Sequence, residues 1–231
     1  MAHISRSIPR CDYLCEKLEW MSKDTIIPTS VYAEITPNPN VMKFVADRTL
    51  IAGGLQVEYK EKSQTVDSSP LAEELFNFPF VKNIFISGNF VSITKDESLG
   101  WEMIVMQLRE YIKEWLMENA IAVGNVPDHL IPMSPAYQEE QKRASNIDYE
   151  KFVPSEFDEQ ITMLLDEFVR PAVEQDGGAI DFKAFHEGKV YVQLRGACSG
   201  CPSSMMTLKG GIENLLKANI DQVEEVVAEE V

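Results

Sequence analysis

The chain has 231 residues, of which 45% are hydrophobic, and a formal net charge of −16 at pH 7. A chain this acidic lacks the basic patch that gripping nucleic-acid phosphates requires, so we predict no nucleic-acid partner. No apolar run approaches the roughly 20 residues that span a bilayer, so we also predict no membrane insertion. Its four cysteines are too few for a secreted disulfide framework, and close cysteine spacing in an intracellular protein indicates metal or redox chemistry.

Residues 1–26 are predicted to form an N-terminal tail with a short helical pattern. Cys11 and Cys15 fall at helical spacing with two leucines, and cysteine on a helix face commonly acts as a small hydrophobe. We therefore interpret this pair as packing residues, with cluster ligation or redox sensing as the alternative. The tail has no long apolar segment and contains Asp12, Glu16 and Glu19, which argues against a targeting peptide. We expect a cytoplasmic protein, or a mitochondrial-matrix protein without its transit peptide.

Residues 27–117, the first domain, are predicted to form strands and helices around one core. Apolar alternation on both sides of "TPNPN" predicts two antiparallel strands, and alternation around Gly88-Asn89 predicts a hairpin. Ser69 is placed to cap a short helix. The longest helical pattern begins at Trp101, with its apolar residues on one face. Strands and helices with one apolar face each predict a small two-layer α+β domain.

Residues 118–154 are predicted to be a flexible linker. Four prolines interrupt them, and "QEEQKRASNIDYEK" is polar with mixed charge. The stretch "AIAVGNVPDHLIPM" (residues 120–133) is too apolar for a spacer, which predicts docking on one of the domains or on a partner.

Residues 155–231, the second domain, are predicted to follow the order α-β-β-α-β. Ser155 followed by Asp158 is a capping-box signature, and Gly177-Gly178 ends the helical stripe that follows. Two alternating runs flank "HEGK", and a second helix and a short third strand complete the domain. The predicted fold class is therefore α+β, with two small two-layer α/β-sandwich domains joined by a flexible linker.

The stretch "LRGACSGCPSSMMTLKGG" (residues 194–211) places Cys198 and Cys201 between the end of a predicted strand and the start of a predicted helix. Pro202 suits the first helical position, which puts Cys201 at or near the cap. Unpaired N–H groups and the helix dipole at such a position favour thiolate over thiol. The small residues around the pair leave room for a ligand. The two sulfurs are therefore candidates for chelation or for dithiol chemistry.

Three functions compete for this pair: a redox dithiol, a zinc site and an iron–sulfur site. A thioredoxin-type dithiol needs a parallel crossover, which we expect the α-β-β-α-β order to lack. Zinc and a [4Fe–4S] cluster both usually need four thiolate or imidazole ligands. The second domain offers two cysteines and His186, which is predicted in the hairpin turn at the far end of its strand. A symmetric dimer in which each chain contributes one pair is the simplest route to four ligands.

Residues 170–216 resemble the C-terminal domain of the NifU-like (Nfu) iron–sulfur cluster carriers, through the "DGG" turn, the "GACSGCPSS" loop and the "TLKGGIE" helix in that order. "ITPNPNVMKF" and "NFVSITKDESLGWE" are similar to the accessory N-terminal domain of many Nfu proteins. The resemblance implies that Cys198 and Cys201 ligate a [4Fe–4S] cluster, with [2Fe–2S] as an alternative form, shared by two subunits of a homodimer.

The same resemblance implies partners rather than an organic substrate. A carrier receives its cluster from upstream assembly machinery and delivers it to apo iron–sulfur client proteins. Nothing in the sequence resembles the larger cysteine-bearing scaffold domain of full NifU, so we expect a carrier and not an enzyme or a primary assembly site. The alternatives are a thiol–disulfide redox protein that uses the same cysteine pair and a structural zinc-bridged dimer.

Overall fold

A computed structural model describes residues 26–132, 134–144, 147, 149, 152–199 and 202–230. The predictions for Cys11, Cys15 and Cys201 therefore fall outside the described residues. Within the described ranges, no helix combines the length and apolarity that crossing a membrane requires.

The first domain is built on a five-stranded antiparallel sheet of order β1-β2-β5-β4-β3. Its strands are β1 (Val31–Ile35), β2 (Val41–Ala46), β3 (Gln56–Tyr59), β4 (Val81–Ser87) and β5 (Phe90–Lys95). The predicted pairing across "TPNPN" and the predicted hairpin at Gly88-Asn89 are both confirmed. Strand β3 was not predicted, since it is short and pairs with β4 at the edge of the sheet.

Helices cover one face of this sheet. After a 3₁₀ turn (Lys62–Thr65) come α1 (Pro70–Leu75) and α2 (Trp101–Glu118). Ser69 caps α1 as predicted, because its Oγ accepts a hydrogen bond from the Ala72 amide at 3.1 Å. The core side of α2 is a stripe at helical spacing, formed by Ile104, Leu108, Ile112 and Leu116.

The segment between the two predicted domains carries ordered structure. Ala122, Val126 and Leu130 are buried in the core of the first domain, which is one of the two docking partners predicted for this apolar stretch. A 3₁₀ turn (Asp128–Leu130) and helix α3 (Pro135–Ala144) follow.

The second domain has a three-stranded sheet of order β6-β7-β8. Its strands are β6 (Gly178–His186), β7 (Lys189–Gly196) and β8 (Glu225–Glu230). Its helices are α4 (Asp158–Leu164), α5 (Arg170–Gln175) and α6 (Pro202–Asn219), with a π-helical turn (Leu165–Val169) joining α4 to α5. The predicted α+β class and the α-β-β-α-β order are confirmed.

The direction of the last strand corrects one prediction. Strand β8 runs parallel to β7, so β7, α6 and β8 form the parallel crossover that the sequence was expected to lack. The order of elements does not fix the direction of β8, and the long helix α6 returns the chain to the same end of the sheet. Topology therefore does not exclude a thioredoxin-type dithiol.

The π-helical turn alters the predicted apolar stripe of the first helix. It adds a residue to the local repeat and so rotates the positions that follow it. Ile161, Leu165 and Val169 are buried, whereas Phe168, predicted on the same face, is 54% exposed. The capping box at Ser155 is partly formed, because the Asp158 carboxylate accepts from the Ser155 amide at 3.1 Å while the helix begins only at Asp158.

The free face of the first sheet packs against the second domain. Val45, Phe85 and Phe90 lie on this face and form a buried apolar cluster with Ala179 of β6. Both faces of β2 are consequently buried along its whole length.

Candidate metal centre

The cysteine loop joins the end of β7 at Gly196 to the start of α6 at Pro202, as the sequence predicts. Gly196 has φ of 65°, a left-handed conformation that favours glycine and turns the chain out of the strand. The Ser199 amide and its hydroxyl both donate to the Gly196 carbonyl, at 3.2 and 2.9 Å. The first part of the loop is therefore a tight, hydrogen-bonded turn.

The "DGG" turn lies directly beside this loop. The Ala197 amide donates to the Gly177 carbonyl at 3.2 Å, and Gly178 pairs with Gly196 at the end of the β6–β7 ladder. The turn and the cysteine loop therefore form one hydrogen-bonded unit.

Cys198 is buried in the core of the second domain, with 7% of its surface exposed. A Cβ atom at Gly178 would lie 2.7 Å from the Cys198 Sγ, so only glycine leaves room for the sulfur there. The Sγ also lies 4.0 Å from the Val173 carbonyl oxygen. In this conformation the sulfur is turned inward against its own domain.

Burial raises the pKa of the Cys198 thiol to about 12, and the nearby Asp176 carboxylate adds to the rise. Removal from water disfavours the charged thiolate, and a neighbouring negative charge acts in the same direction. The thiolate-favouring environment predicted from the sequence does not exist at Cys198 in this conformation. The pKa of Asp176 is itself raised by burial, against the opposing charge of Lys43.

A groove of about 590 Å³ opens beside Cys198. Its walls are mainly apolar and come from the helices of the second domain, including Phe168 and Leu215. One wall residue, Pro37, belongs to the first domain. The cysteine loop, the exposed Phe168 and Pro37 of the first domain therefore line the same groove.

One other candidate ligand lies elsewhere. His186 is at the opposite end of β6 from Gly178, roughly 26 Å away at the usual rise per strand residue, and it stacks on Phe152 at a centroid distance of 4.4 Å. In the described part of the chain, no three side chains among His, Cys, Asp and Glu are grouped to hold a metal ion.

Sequence reasoning missed that the first domain reaches the cysteine loop. The Glu58 carboxylate accepts a hydrogen bond from the Gly196 amide at 3.1 Å, and the Asn38 side-chain amide donates to the Ser199 carbonyl at 3.0 Å. A usable signal was present in "VMKFVA" (β2), an almost unbroken apolar run that indicates a strand buried on both faces.

Comparison with known proteins covers both domains. A family model described as "Scaffold protein Nfu/NifU N terminal" matches residues 31–119, and one described as "NifU-like domain" matches residues 161–227.

Two curated relatives illustrate the level of similarity. "NFU1 iron-sulfur cluster scaffold homolog, mitochondrial" of Drosophila erecta is 32% identical over 199 residues, which cover 85% of this chain and 63% of the fly protein. "NifU-like protein, mitochondrial" of Saccharomyces cerevisiae is 33% identical over 204 residues, which cover 83% of this chain and 77% of the yeast protein. The chain thus spans less than two thirds of the length of the fly relative.

Among solved structures, the solution NMR structure of the NifU-like protein from Saccharomyces cerevisiae aligns with a TM-score of 0.39 at 20% identity. The alignment covers 54% of this chain and 99% of the yeast chain.

Proposed function

The chain belongs to the NifU-like (Nfu) family, and from that membership we propose that it carries iron–sulfur clusters. Its cargo is a [4Fe–4S] cluster, held by Cys198 and Cys201 from each of two chains that dimerise through the second domain. The observation that carries this proposal is the cysteine motif at the junction of β7 and α6, within the match to the NifU-like domain.

The ligand count explains the dimer. A [4Fe–4S] cluster takes four cysteine thiolates, and each chain supplies two in this motif. A second copy of the chain would supply the other two thiolates through its own Cys198 and Cys201. A site made between two chains lies at a surface, where an incoming protein can reach it.

Transfer proceeds by ligand exchange with no net redox change. A client thiolate forms a bond to a cluster iron as the bond from that iron to a carrier sulfur breaks, and the released carrier thiolate takes up a proton. Repetition at each iron moves the cluster to the client. The carrier catalyses no reaction of an organic substrate in this scheme.

The partners follow from the cargo: an upstream assembly system that loads the carrier and apo iron–sulfur proteins that receive the cluster. The predicted cytoplasmic location stays a prediction. Both relatives described above carry "mitochondrial" in their names, which favours the mitochondrial matrix, the alternative location predicted from the sequence.

A thiol–disulfide redox protein is the second candidate, favoured by the parallel crossover of β7, α6 and β8 around the cysteine pair. Oxidation of the two thiols would pass two electrons and two protons to a disulfide in a protein substrate. The raised pKa of Cys198 opposes this role in the closed arrangement, as it opposes cluster ligation, because both need the thiolate. A structural zinc-bridged dimer remains the third candidate.

Anaerobic reconstitution with ferrous iron and sulfide tests the proposal. We expect a Mössbauer spectrum of a [4Fe–4S] cluster and restored activity when the loaded protein is mixed with an apo-enzyme that needs such a cluster. Cys198→Ser and Cys201→Ser should each abolish both signals, whereas the matched change Cys11→Ser should leave them intact. Full loading of Cys198→Ser, or iron-independent reduction of insulin disulfides by the wild type, would contradict the carrier function.

A further inference from the structure

The hydrogen bonds between the two domains converge on the walls of the cysteine site. On the second domain they end at residues 174–177, the end of α5 and the "DGG" turn, and at residues 195–199, the end of β7 and the cysteine loop. Among the described residues, the bonds between the domains include Lys43 Nζ to Gln175 O (2.9 Å), Ser92 Oγ to Gly177 O (2.8 Å), Gln56 Nε2 to Glu174 Oε1 (3.3 Å), Arg195 Nη2 to Gln56 Oε1 (3.0 Å), Gly196 N to Glu58 Oε1 (3.1 Å) and Asn38 Nδ2 to Ser199 O (3.0 Å).

The fit between the domains is close because two glycines face the first domain. A Cβ atom at Gly177 would lie 2.6 Å from the Ser92 Oγ, and one at Gly196 would lie 2.9 Å from the Phe85 ring. Phe85 and Phe90 are 1% and 7% exposed, and both belong to a buried cluster with Ala179 of the second domain. The docked surface therefore combines an apolar centre with polar contacts to the backbone of the cysteine site.

Two of these contacts bracket the loop that carries Cys198. Glu58 binds the amide of Gly196 on one side of the cysteine, and Asn38 binds the carbonyl of Ser199 on the other. Pro37, beside Asn38, forms part of the groove wall next to the sulfur. The first domain thus fixes the backbone on both sides of Cys198 and covers part of the space in front of it.

The loop fixed in this way is unsuited to holding a cluster shared with a second chain. The Cys198 sulfur contacts Gly178 and the core of its own domain, whereas a bridging cluster needs the sulfur at a surface that a second chain can approach. A movement of residues 196–199 that carried the sulfur to such a surface would break the hydrogen bonds from Glu58 and Asn38.

We propose that docking of the first domain and cluster loading oppose each other: Asn38 and Glu58 hold the Cys198 loop in an inward, closed arrangement, and loading releases the first domain. This inference rests on the proposed carrier function and adds a regulatory contact to it. Because coupling between two equilibria is reciprocal, any partner that pulls the first domain away also favours loading, and a loaded cluster favours the undocked state.

The first test uses the apo protein and needs no cluster. In a full-length chain with Cys11, Cys15 and Cys201 replaced by serine, Cys198 is the only thiol, and its alkylation by iodoacetamide reports how often the loop opens. The double change Asn38→Ala/Glu58→Ala should raise the alkylation rate about tenfold or more, since it removes two hydrogen bonds that keep the loop closed. The matched change Glu97→Ala, at an exposed site away from the interface, should leave the rate unchanged.

A second variant separates undocking from local damage to the loop. Val45→Arg puts a charged side chain into the apolar contact with Ala179 and changes none of the residues that hydrogen-bond to residues 196–199. It should also raise the alkylation rate, and circular dichroism should show that the helices and strands are retained. Alkylation rates equal to that of the parent chain in both folded variants would overturn the proposal.

The second test follows the domains in the wild-type protein with anaerobic carbene footprinting. Phe85 and Phe90 should be protected in the apo protein and should gain label several-fold once the cluster is loaded, and the double variant should show the gain without a cluster. A loaded protein in which both rings stay protected would overturn the coupling. A wild-type chain that binds no cluster would instead overturn the carrier function, while the apo alkylation result would still report docking.

Discussion

Cys198 is the residue at which the proposed function and the observed packing meet. A cluster ligand must present a thiolate, but this thiol is buried against Gly178 and its pKa is raised to about 12. The protonated form is therefore a stable part of the closed second domain. The proposed cluster binding would require Cys198 to lose this proton, which would link the chemistry of one residue to the conformation of its loop.

This buried thiol predicts a pH dependence of stability. Its usual pKa is 9.0 and its folded value about 12, so its stabilising contribution is complete below pH 9 and is lost as the pH rises from 9 towards 12. Between pH 8 and pH 10 the loss amounts to about 1 kcal/mol. Chemical denaturation of apo wild type and Cys198→Ala at both pH values measures it. The difference between the two unfolding free energies should shrink by that amount, and a constant difference would contradict the burial of the thiol.

Two glycines of the second domain, one in helix α6 and one in strand β6, have opposite effects on stability. Gly210 lies in the interior of the helix, and an added Cβ would meet nothing within 4 Å. Gly178, at the start of β6, is surrounded: an added Cβ would lie 2.7 Å from both the Arg195 carbonyl oxygen and the Cys198 sulfur. Gly210 therefore lowers the stability of the helix, and no contact in the described structure requires a glycine there. Gly178 is required, because any side chain at this position would collide with its neighbours.

The same substitution should therefore have opposite effects at the two sites. Gly210→Ala should raise the unfolding free energy of the apo protein by about 0.5–1 kcal/mol through helix propensity. Gly178→Ala should lower it by about 1–3 kcal/mol, because the added methyl group overpacks the site. Urea denaturation of both variants measures these unfolding free energies. A change of the same sign in the two free energies would refute this account of the packing.

The elements differ in how far the sequence predicted them. The long periodic pattern of α2 and the turn residues Gly88-Asn89 were enough to predict a helix and a hairpin. Hydrophobic periodicity and turn chemistry are local properties of the sequence. The edge strand β3 is only four residues long (Gln56–Tyr59) and has little local signal. The direction of β8 and the π-helical turn depend on packing between distant segments, which local patterns do not encode. For the site, the motif predicted Cys198 and Cys201, but not the inward orientation of Cys198.

At the scale of the whole molecule, the first domain is docked on the cysteine site. Its sheet is covered by helices on one face and by the second domain on the other. The segment after α2 is anchored in its core through Ala122, Val126 and Leu130. In the proposed coupling, the first domain acts on the cysteine loop through these direct contacts.

The most direct test of the central claim, that two chains share one cluster through their cysteine pairs, is native mass spectrometry after anaerobic reconstitution. The account predicts a dimer carrying the added mass of a single [4Fe–4S] cluster, and a Cys198→Ser protein without that species. A monomer that instead loses only the mass of two hydrogens, the signature of a disulfide, would contradict the account and favour the redox function.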